Sequence, residues 1–147
     1  MRVEVQRPHI IGMANTLRLE IVTPDATVYS EPVESVILQG VEGQLTILPQ
    51  HIRLITQLVP GEMIVCKGEQ DEYLAVGEGL LSVAHDHVAI VTDMAIAAAN
   101  IDEARAEEAR QRAATRLREK LSSEEVASVN ASLARSLAQL HVKRRHR

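Results

Sequence analysis

The sequence predicts an α+β protein, in which an N-terminal antiparallel β-sandwich or flattened barrel precedes a C-terminal antiparallel α-helical hairpin. Two patterns carry this prediction. Between residues 17 and 92, short apolar runs alternate with polar residues and turn signals recur every eight to twelve residues or so, as in sandwiches. From residue 101 onward, apolar residues recur three or four apart among helix formers. We therefore expect a flexible extension at 1–15, a sandwich at 16–93 and a hairpin with a basic tail at 94–147.

Composition limits both the core and the kind of ligand. The chain has no Phe or Trp and only two Tyr residues, so Val, Ile, Leu and Ala must build the core, and aromatic binding platforms are excluded. A single cysteine, Cys66, excludes an internal disulfide and a cysteine-rich metal site, and its β-patterned surroundings predict a buried thiol. No apolar run approaches the roughly 20 residues that span a bilayer.

Charge divides the chain into two parts. Residues 1–100 have five Lys or Arg and thirteen Asp or Glu, a net charge of −8. Residues 101–147 have eleven and seven, a net charge of +4. This asymmetry predicts two modules with different partners, the basic one suited to nucleic acid, an anionic ligand or an acidic protein surface.

The predicted strands follow one another with turns between them. The dipeptide at 60–61, Pro-Gly, is a strong turn signal, and a second turn at 68–70 makes a hairpin. The strands are expected at 17–21, 33–38, 44–48, 53–58, 62–67, 71–76, 80–83 and 87–91.

One stretch organises the sandwich, residues 40–51 with the sequence GVEGQLTILPQH. Its two glycines suit a tight turn, and the proline should end the strand at 44–48 because it cannot donate to a sheet ladder. We expect Glu42, Gln44 and His51 to form a polar tip at one end of the sandwich. Such a tip favours a docking surface over a catalytic pocket.

Catalytic and metal-binding motifs are not found. The sequence has no P-loop, no nucleophile elbow and no H-E-x-x-H, so we expect a protein that is not an enzyme. His85 and His87 flank Asp86 in a turn, which is more typical of exposed side chains than of metal ligands. No metal site is predicted.

The hairpin has clear start signals. Asn100 with Glu103 resembles a capping box, and nothing breaks a helix from 101 to about 121. Ser122 and Glu125 form a second capping box, so the helices are joined by a short, antiparallel connection. The second helix has a coiled-coil-like seam. The seam comprises Val126, Val129, Leu133, Leu137 and Leu140.

A basic face is predicted on the first helix. Arg105, Arg112 and Arg116 lie within about 40° of one another at 100° per residue, and Asp102 lies one turn before the first of them. Guanidinium groups in this arrangement could clamp a phosphate chain. They could equally form a solvated face with local pairs such as Asp102 with Arg105. Spacing alone leaves both interpretations open.

Two of these motifs resemble those of the ε subunit of F-type ATP synthases. Residues 40–51 match G-x-E-G-x-x-x-I-x-P-x-H, and residues 101–106, IDEARA, match (I/L)-D-x-x-R-A. The similarity runs from about residue 17 to 140. The resemblance implies a non-catalytic subunit of a proton- or sodium-translocating complex, peripheral to the cytoplasmic face of the bacterial inner membrane. The choice of ion lies in the c-ring.

The resemblance also implies partners. The sandwich would bind the γ subunit and the c-ring as part of the rotor, with Glu42, Gln44 and His51 at that interface. The hairpin would fold against the sandwich or extend along γ toward the α and β catalytic subunits. In the extended state its basic face, Arg105 and Arg112 with Arg116, would inhibit ATP hydrolysis.

The resemblance also implies ATP as a regulatory ligand, and it implies no required cofactor. This chain departs from the family pattern at two positions, with Ile96 where a glutamate is usual and Gln139 where a second arginine of the second helix is usual. The residues implied in nucleotide binding are Ile101, Asp102, Arg105, Ala106, Arg112 and Arg135.

A rival interpretation is a stand-alone module whose basic hairpin binds nucleic acid or an acidic protein. The missing aromatic residues and the acidic sandwich argue against nucleic acid. A strongly salt-dependent affinity for DNA or RNA would support it.

Overall fold

The computed structural model describes residues 16–146 and contains a β-sandwich followed by two antiparallel helices. Helix α1 is Glu103–Arg116 and helix α2 is Ser123–Arg145, with a short 3-10 helix, Ala98–Asn100, before them. The strands are β1 Leu17–Val22, β2 Thr27–Val33, β3 Ser35–Gly40, β4 Gly43–Ile47, β5 Leu54–Leu58, β6 Gly61–Lys67, β7 Gln70–Val76, β8 Gly79–Ala84, β9 His87–Thr92 and β10 Ala95–Ala97. The predicted fold class is confirmed.

The strands form one strongly bent sheet in the order β10-β7-β6-β3-β5-β8-β9-β1-β2, with β4 paired to β3. The pairs are antiparallel except for β1 and β9, which run parallel. Away from the β1–β9 pair, Lys67 Nζ on β6 donates to Glu31 Oε1 on β2 over 2.9 Å. This ion pair connects two strands that are far apart in the sheet order and helps to close the sandwich. The flexible extension predicted at 1–15 lies outside the described residues.

Aliphatic side chains fill the interior, as the composition requires. Cys66 is buried at 7% exposure, as predicted. Close packing of branched side chains supplies the stabilisation that aromatic residues supply elsewhere. The largest fully buried side chains are Leu17, Leu19, Ile21, Ile47, Met63, Leu81 and Ile90.

Two strands were not predicted. Strand β2 is an edge strand whose side chains are mostly exposed, and it contains Pro32, so its apolar period is weak. Strand β10 lies in the alanine-rich stretch assigned to the hairpin, but it pairs with β7 through Ala95, Ile96 and Ala97. The sheet therefore continues past residue 93, the boundary predicted from the change in composition.

The helix ends differ from the prediction. Asp102, and not Asn100, is the N-cap of α1, and its side chain accepts a hydrogen bond from the Arg105 amide over 3.2 Å. Helix α1 stops at Arg116 instead of continuing to about 121, because two successive turns reverse the chain toward α2. The capping box of α2 is confirmed, since Ser122 and Glu125 satisfy each other's backbone amides.

The predicted seam of α2 is partly wrong. Leu140 is buried, but Leu137 is 48% exposed and Val126 is 36% exposed. The reason is that α2 has two neighbours: it packs against α1 and also against strands β6 and β7. Its buried positions therefore form two stripes, and Ala138 and Val142 face the sandwich in a cluster with Ala75 and Met94.

The capping box provides a test of hairpin stability. Replacing Ser122 by Ala leaves the amide of Glu125 without its side-chain acceptor, and we expect the free energy of unfolding to fall by about 1 kcal/mol. Urea denaturation followed by far-ultraviolet circular dichroism measures the loss. Ser123→Ala is the matched control, because that residue is exposed inside the first turn and has no capping role. Equal losses in the two variants would contradict the capping role.

Candidate interaction surfaces

The glycine turn forms one end of the sandwich. It joins β3 to β4, with Gly40 paired to Gly43, and Gly43 has a φ of 123°, a region that L-residues rarely adopt. Glu42 and Gln44 are exposed beside it. The tight turn is confirmed, and it presents the polar side chains of Glu42 and Gln44 together with the exposed Val41.

His51 lies at the other end of the sandwich, so the prediction of one polar tip is wrong. Strand β4 carries the chain over five residues away from the glycine turn, a distance of roughly 17 Å at about 3.4 Å per residue. The loop that contains His51 is fixed there by a hydrogen bond from the Gln50 amide to Asp86 Oδ1 over 2.5 Å. Arg53 contacts His85 beside it. The motif at 40–51 contains all of β4, and the length of that strand could have shown that His51 lies far from Glu42.

The histidines at this end do not converge on a metal site. His87 lies 3.5 Å from Glu20, and His85 contacts an arginine. Among residues 16–146, no group of three or more His, Cys, Asp or Glu side chains is arranged to hold a metal ion. Within the same range, no helix combines the length and the apolar character needed to cross a bilayer.

An apolar groove of about 870 Å³ lies next to the glycine turn. Its floor is a row of outward-facing side chains on three adjacent strands, since Leu80 on β8 pairs with Val91 on β9, which pairs with Val22 on β1. These side chains are 51%, 58% and 36% exposed. Ile55 on β5 is 77% exposed and adds to the apolar surface of this sheet. We call Val22, Ile55, Leu80 and Val91 the apolar face.

Sequence reasoning missed the apolar face, although a signal was present. Each of its strands has two consecutive apolar residues, such as Leu80 with Leu81 and Ile90 with Val91. In a half-buried strand one of each pair should be polar. An apolar residue at the outward position indicates a sheet covered on both sides. A partner is the natural cover, because exposed apolar patches of this kind mark interaction sites.

The basic face of α1 is exposed, as predicted. Arg105, Arg112 and Arg116 point away from the buried positions Ala106 and Ala113. Within residues 16–146, Arg116 pairs with Glu125 over 3.3 Å, whereas Arg105 and Arg112 have no ion-pair partner. Two of the three guanidinium groups are therefore available to an anionic ligand or surface.

The residues implied in nucleotide binding differ in burial and in their contacts. Ile101 and Ala106 are buried in packing, and the side chain of Asp102 caps α1. Arg135 on α2 donates to Asp93 Oδ2 over 2.9 Å, on the side of α2 that faces the sandwich. Arg105 and Arg112 lie on the outer surface of α1. Ile101, Ala106, Asp102 and Arg135 thus have structural roles that require no nucleotide, whereas Arg105 and Arg112 are exposed without an ion-pair partner among residues 16–146.

Polar contacts tie the two helices to each other. Glu107 accepts hydrogen bonds from Arg110 and Arg144, and the bond from Arg110 is the main cause that lowers the pKa of Glu107 to about 2. Arg144 also pairs with Glu103 over 3.0 Å. These contacts connect the start of α1 to the end of α2, so the two helices can move as one body.

Other contacts tie α2 to the sandwich. Besides the pair of Arg135 with Asp93, Lys143 Nζ donates to the Ala98 carbonyl over 3.2 Å. At the end of α2, Arg145 and His146 bind the two carboxylate oxygens of Glu62 on β6. The hairpin is therefore in the folded position, packed on the sandwich.

Comparisons with known proteins agree on a family. The family described as ATP synthase, Delta/Epsilon chain, beta-sandwich domain matches residues 16–98, and the corresponding long alpha-helix domain matches residues 99–144. The chain is 36% identical to the ATP synthase epsilon chain of Acidithiobacillus ferridurans, over 92% of this chain and 96% of that one. It is 40% identical to the epsilon chain of Herminiimonas arsenicoxydans, over 87% and 93% of the two chains.

Solved structures agree on the fold. A chain in the mitochondrial ATP synthase of Euglena gracilis superposes with a TM-score of 0.71 at 21% identity, over 86% of this chain and 80% of that one. A chain in the central stalk and c-ring structure from Tetrahymena thermophila superposes with a TM-score of 0.59 at 12% identity. Since both domain families match in order and span residues 16–144, the chain belongs to the ATP synthase delta/epsilon family, as an epsilon chain of the F-type enzyme.

Proposed function

We propose that this chain is a non-catalytic rotor subunit whose sandwich joins the γ subunit to the c-ring and whose hairpin restrains ATP hydrolysis. One observation carries the proposal: the apolar face lies on strands β1, β5, β8 and β9, whereas the hairpin packs on β6 and β7. A partner can therefore cover the apolar face while the hairpin stays folded or leaves. The same geometry suits a subunit with one permanent interface and one regulated element.

We assign the apolar face to γ and the glycine turn to the c-ring. The groove beside the turn presents Leu80 and Val91, which a largely apolar partner surface would bury with a gain of roughly 25 cal/mol per Å². Glu42 and Gln44 lie at the adjoining end and suit the polar loops of a c-ring. His51, at the opposite end, belongs in this proposal to the γ side, beside the exposed Ile52.

The hairpin is proposed to inhibit hydrolysis when it extends toward the catalytic α and β subunits. The available guanidinium groups of Arg105 and Arg112 support this role, because they would meet acidic loops without first breaking an ion pair. An equilibrium between folded and extended hairpins shifts only through ligands that bind one state better. The complex would place this chain at the cytoplasmic face of a bacterial plasma membrane.

Nucleic acid is a weaker candidate partner. Much of the positive charge on α2 is already neutralised, since Arg135, Arg144 and Arg145 pair with carboxylates in the folded hairpin. The remaining basic surface is small, and the sandwich is acidic. A strongly salt-dependent affinity for DNA would favour this alternative.

The apolar face can be tested by introducing charge. Leu80→Glu or Val91→Glu would leave a carboxylate in the apolar interface, and we expect the affinity for purified γ to fall at least about tenfold. Surface plasmon resonance with immobilised γ measures it. Thr46→Glu, on an exposed position of β4, is the control and should bind normally. If the groove variants also bind γ normally, the assignment of γ to this face is wrong.

The inhibitory role can be tested by truncation. A chain ending at Asn100 lacks both helices, and we expect it to bind the complex without slowing ATP hydrolysis. Steady-state hydrolysis by the cognate epsilon-depleted complex is measured after adding back the full or shortened chain. Circular dichroism of the shortened chain checks that the sandwich is folded. Inhibition of equal strength by both chains would exclude a role for the hairpin.

ATP binding remains a prediction for this chain, and Arg112 provides its test. The guanidinium group has no ion-pair partner within residues 16–146, so Arg112→Ala breaks no ion pair there. We expect it to raise the Kd for ATP at least about tenfold, as for a lost charged hydrogen bond. Isothermal titration calorimetry measures the Kd, with Arg118→Ala as the control. Absence of ATP binding to the unaltered chain would end the nucleotide hypothesis.

A further inference from the structure

The carboxylate of Glu62 is buried between the sandwich and the hairpin. Glu62 lies on β6 opposite Ala75 of β7, on the sheet surface that α2 covers, and its side chain is 7% exposed. A carboxylate withdrawn from water to this extent is destabilising unless both oxygens are paired. The sandwich itself supplies no cation to it among the contacts within residues 16–146.

The last residues of the hairpin supply both partners. Arg145 Nη1 donates to Glu62 Oε1 over 2.8 Å, and His146 Nε2 contacts Glu62 Oε2 over 2.6 Å. Each carboxylate oxygen thus has its own partner. The two residues are adjacent at the end of α2, so the carboxylate is satisfied only when this end of the helix is in place.

An aromatic contact fixes the histidine. The ring of His146 stacks on Tyr73 of β7, with 3.7 Å between ring centroids and 19° between ring planes. Tyr73 pairs with Ile64, and lies on the same surface of the sheet as Ala75. Glu62 therefore contacts the edge of the imidazole ring, and Tyr73 packs against its face. We call Glu62, Tyr73, Arg145 and His146 the terminal cluster.

The buried apolar cluster between α2 and the sandwich takes two small side chains from α2. Ala138 and Val142 pack with Ala75 and Met94 there, and Tyr73 and Ile96 lie against the cluster. Small side chains allow close approach, but each removes little apolar area from water. The pair of Arg135 with Asp93 is about one-third exposed on both sides, and such pairs contribute little. The terminal cluster is therefore well placed to decide between packed and released hairpins.

We propose that the terminal cluster is a latch that holds the hairpin against the sandwich, and that its opening sets how often the hairpin is released. When the latch is open, water reaches Glu62 and the carboxylate no longer needs a partner. When the hairpin is packed without Arg145 and His146, the carboxylate is buried and unpaired. Removing the two partners thus destabilises the packed state alone. This regulation rests on the proposed inhibitory function of the hairpin.

The basic residues at the end of α2 pair with two different parts of the protein. Arg144 turns toward α1 and pairs with Glu103 and Glu107, which keeps the two helices together. Its neighbour Arg145 turns toward the sandwich and pairs with Glu62. Adjacent arginines in one helical turn thus provide two distinct contacts, one within the hairpin and one between the hairpin and the sandwich. Arg144 is the matched control for the latch.

The test is a distance measurement on the full chain. Cysteines at the exposed positions Ser82 and Ala127, in a Cys66→Ala background, carry spin labels for pulsed electron paramagnetic resonance. We expect Arg145→Ala with His146→Ala to increase the ratio of released to packed hairpin at least about tenfold, seen as longer distances. Arg144→Ala should leave the distances unchanged. Release by Arg144→Ala to the same extent would overturn the latch, as would an unchanged distribution in the double variant.

A third substitution separates the latch from simple fraying of the helix end. Adding Glu62→Ala to the double variant removes the buried charge, so we expect the packed distance to return. Failure to return would show that Glu62 is not the cause and would overturn the proposal.

Hydrolysis by the reconstituted complex is measured with the same variants. Stronger inhibition by the double variant supports both the latch and the inhibitory hairpin. A shift in distance without any change in hydrolysis supports the latch and refutes the inhibitory function.

Discussion

Strands β6 and β7 pack against the sandwich core on one face and against helix α2 on the other. The rest of the structure depends on this pair of strands. Along each strand, alternate side chains enter the sandwich core, among them Met63 and Leu74. The intervening side chains, such as Glu62 and Ala75, face helix α2. The sandwich is thereby complete on one side of the pair, and the hairpin has a docking surface on the other. Substitutions here affect both units together.

The two sides of the sandwich differ in chemistry, since the hairpin covers one and the other exposes the apolar face. The surface beneath the hairpin combines apolar residues, among them Ala75 and Met94, with ion pairs and a buried carboxylate that water can solvate when the hairpin leaves. The apolar face presents the exposed side chains of Leu80 and Val91 in a groove that Gln57 and Glu78 also line. A surface of that kind is most stable when it stays covered. In the proposed function, one sandwich therefore has both a lasting interface and a reversible one.

Much of the fold could be predicted because its signals are local. Period-two strands, the Pro-Gly turn and the capping box at Ser122 each depend on a few neighbouring residues. Strand β2 escaped prediction because it is an exposed edge with a proline, and β10 because three alanine-rich residues have no period of their own. Edge pairing of this kind is decided by the neighbouring strand.

The candidate sites were less predictable, since they depend on distances through space. A sequence motif placed Glu42 and His51 together, although a full strand separates them. The terminal cluster joins residues 83 and 84 positions apart, and no spacing rule indicates such a contact. The exposed arginines of α1 were predicted correctly because helical geometry alone fixes their direction.

The scarcity of aromatic residues has an optical consequence. The chain contains no tryptophan, and its two tyrosines occupy different environments. Tyr29 lies on β2 beside the core, where burial raises its pKa, and its hydroxyl is close to Glu31 and Glu72. Tyr73 lies under the imidazole of His146. Tyrosine emission from the unlabelled protein therefore comes from two chromophores, of which Tyr73 is in direct contact with the end of the hairpin.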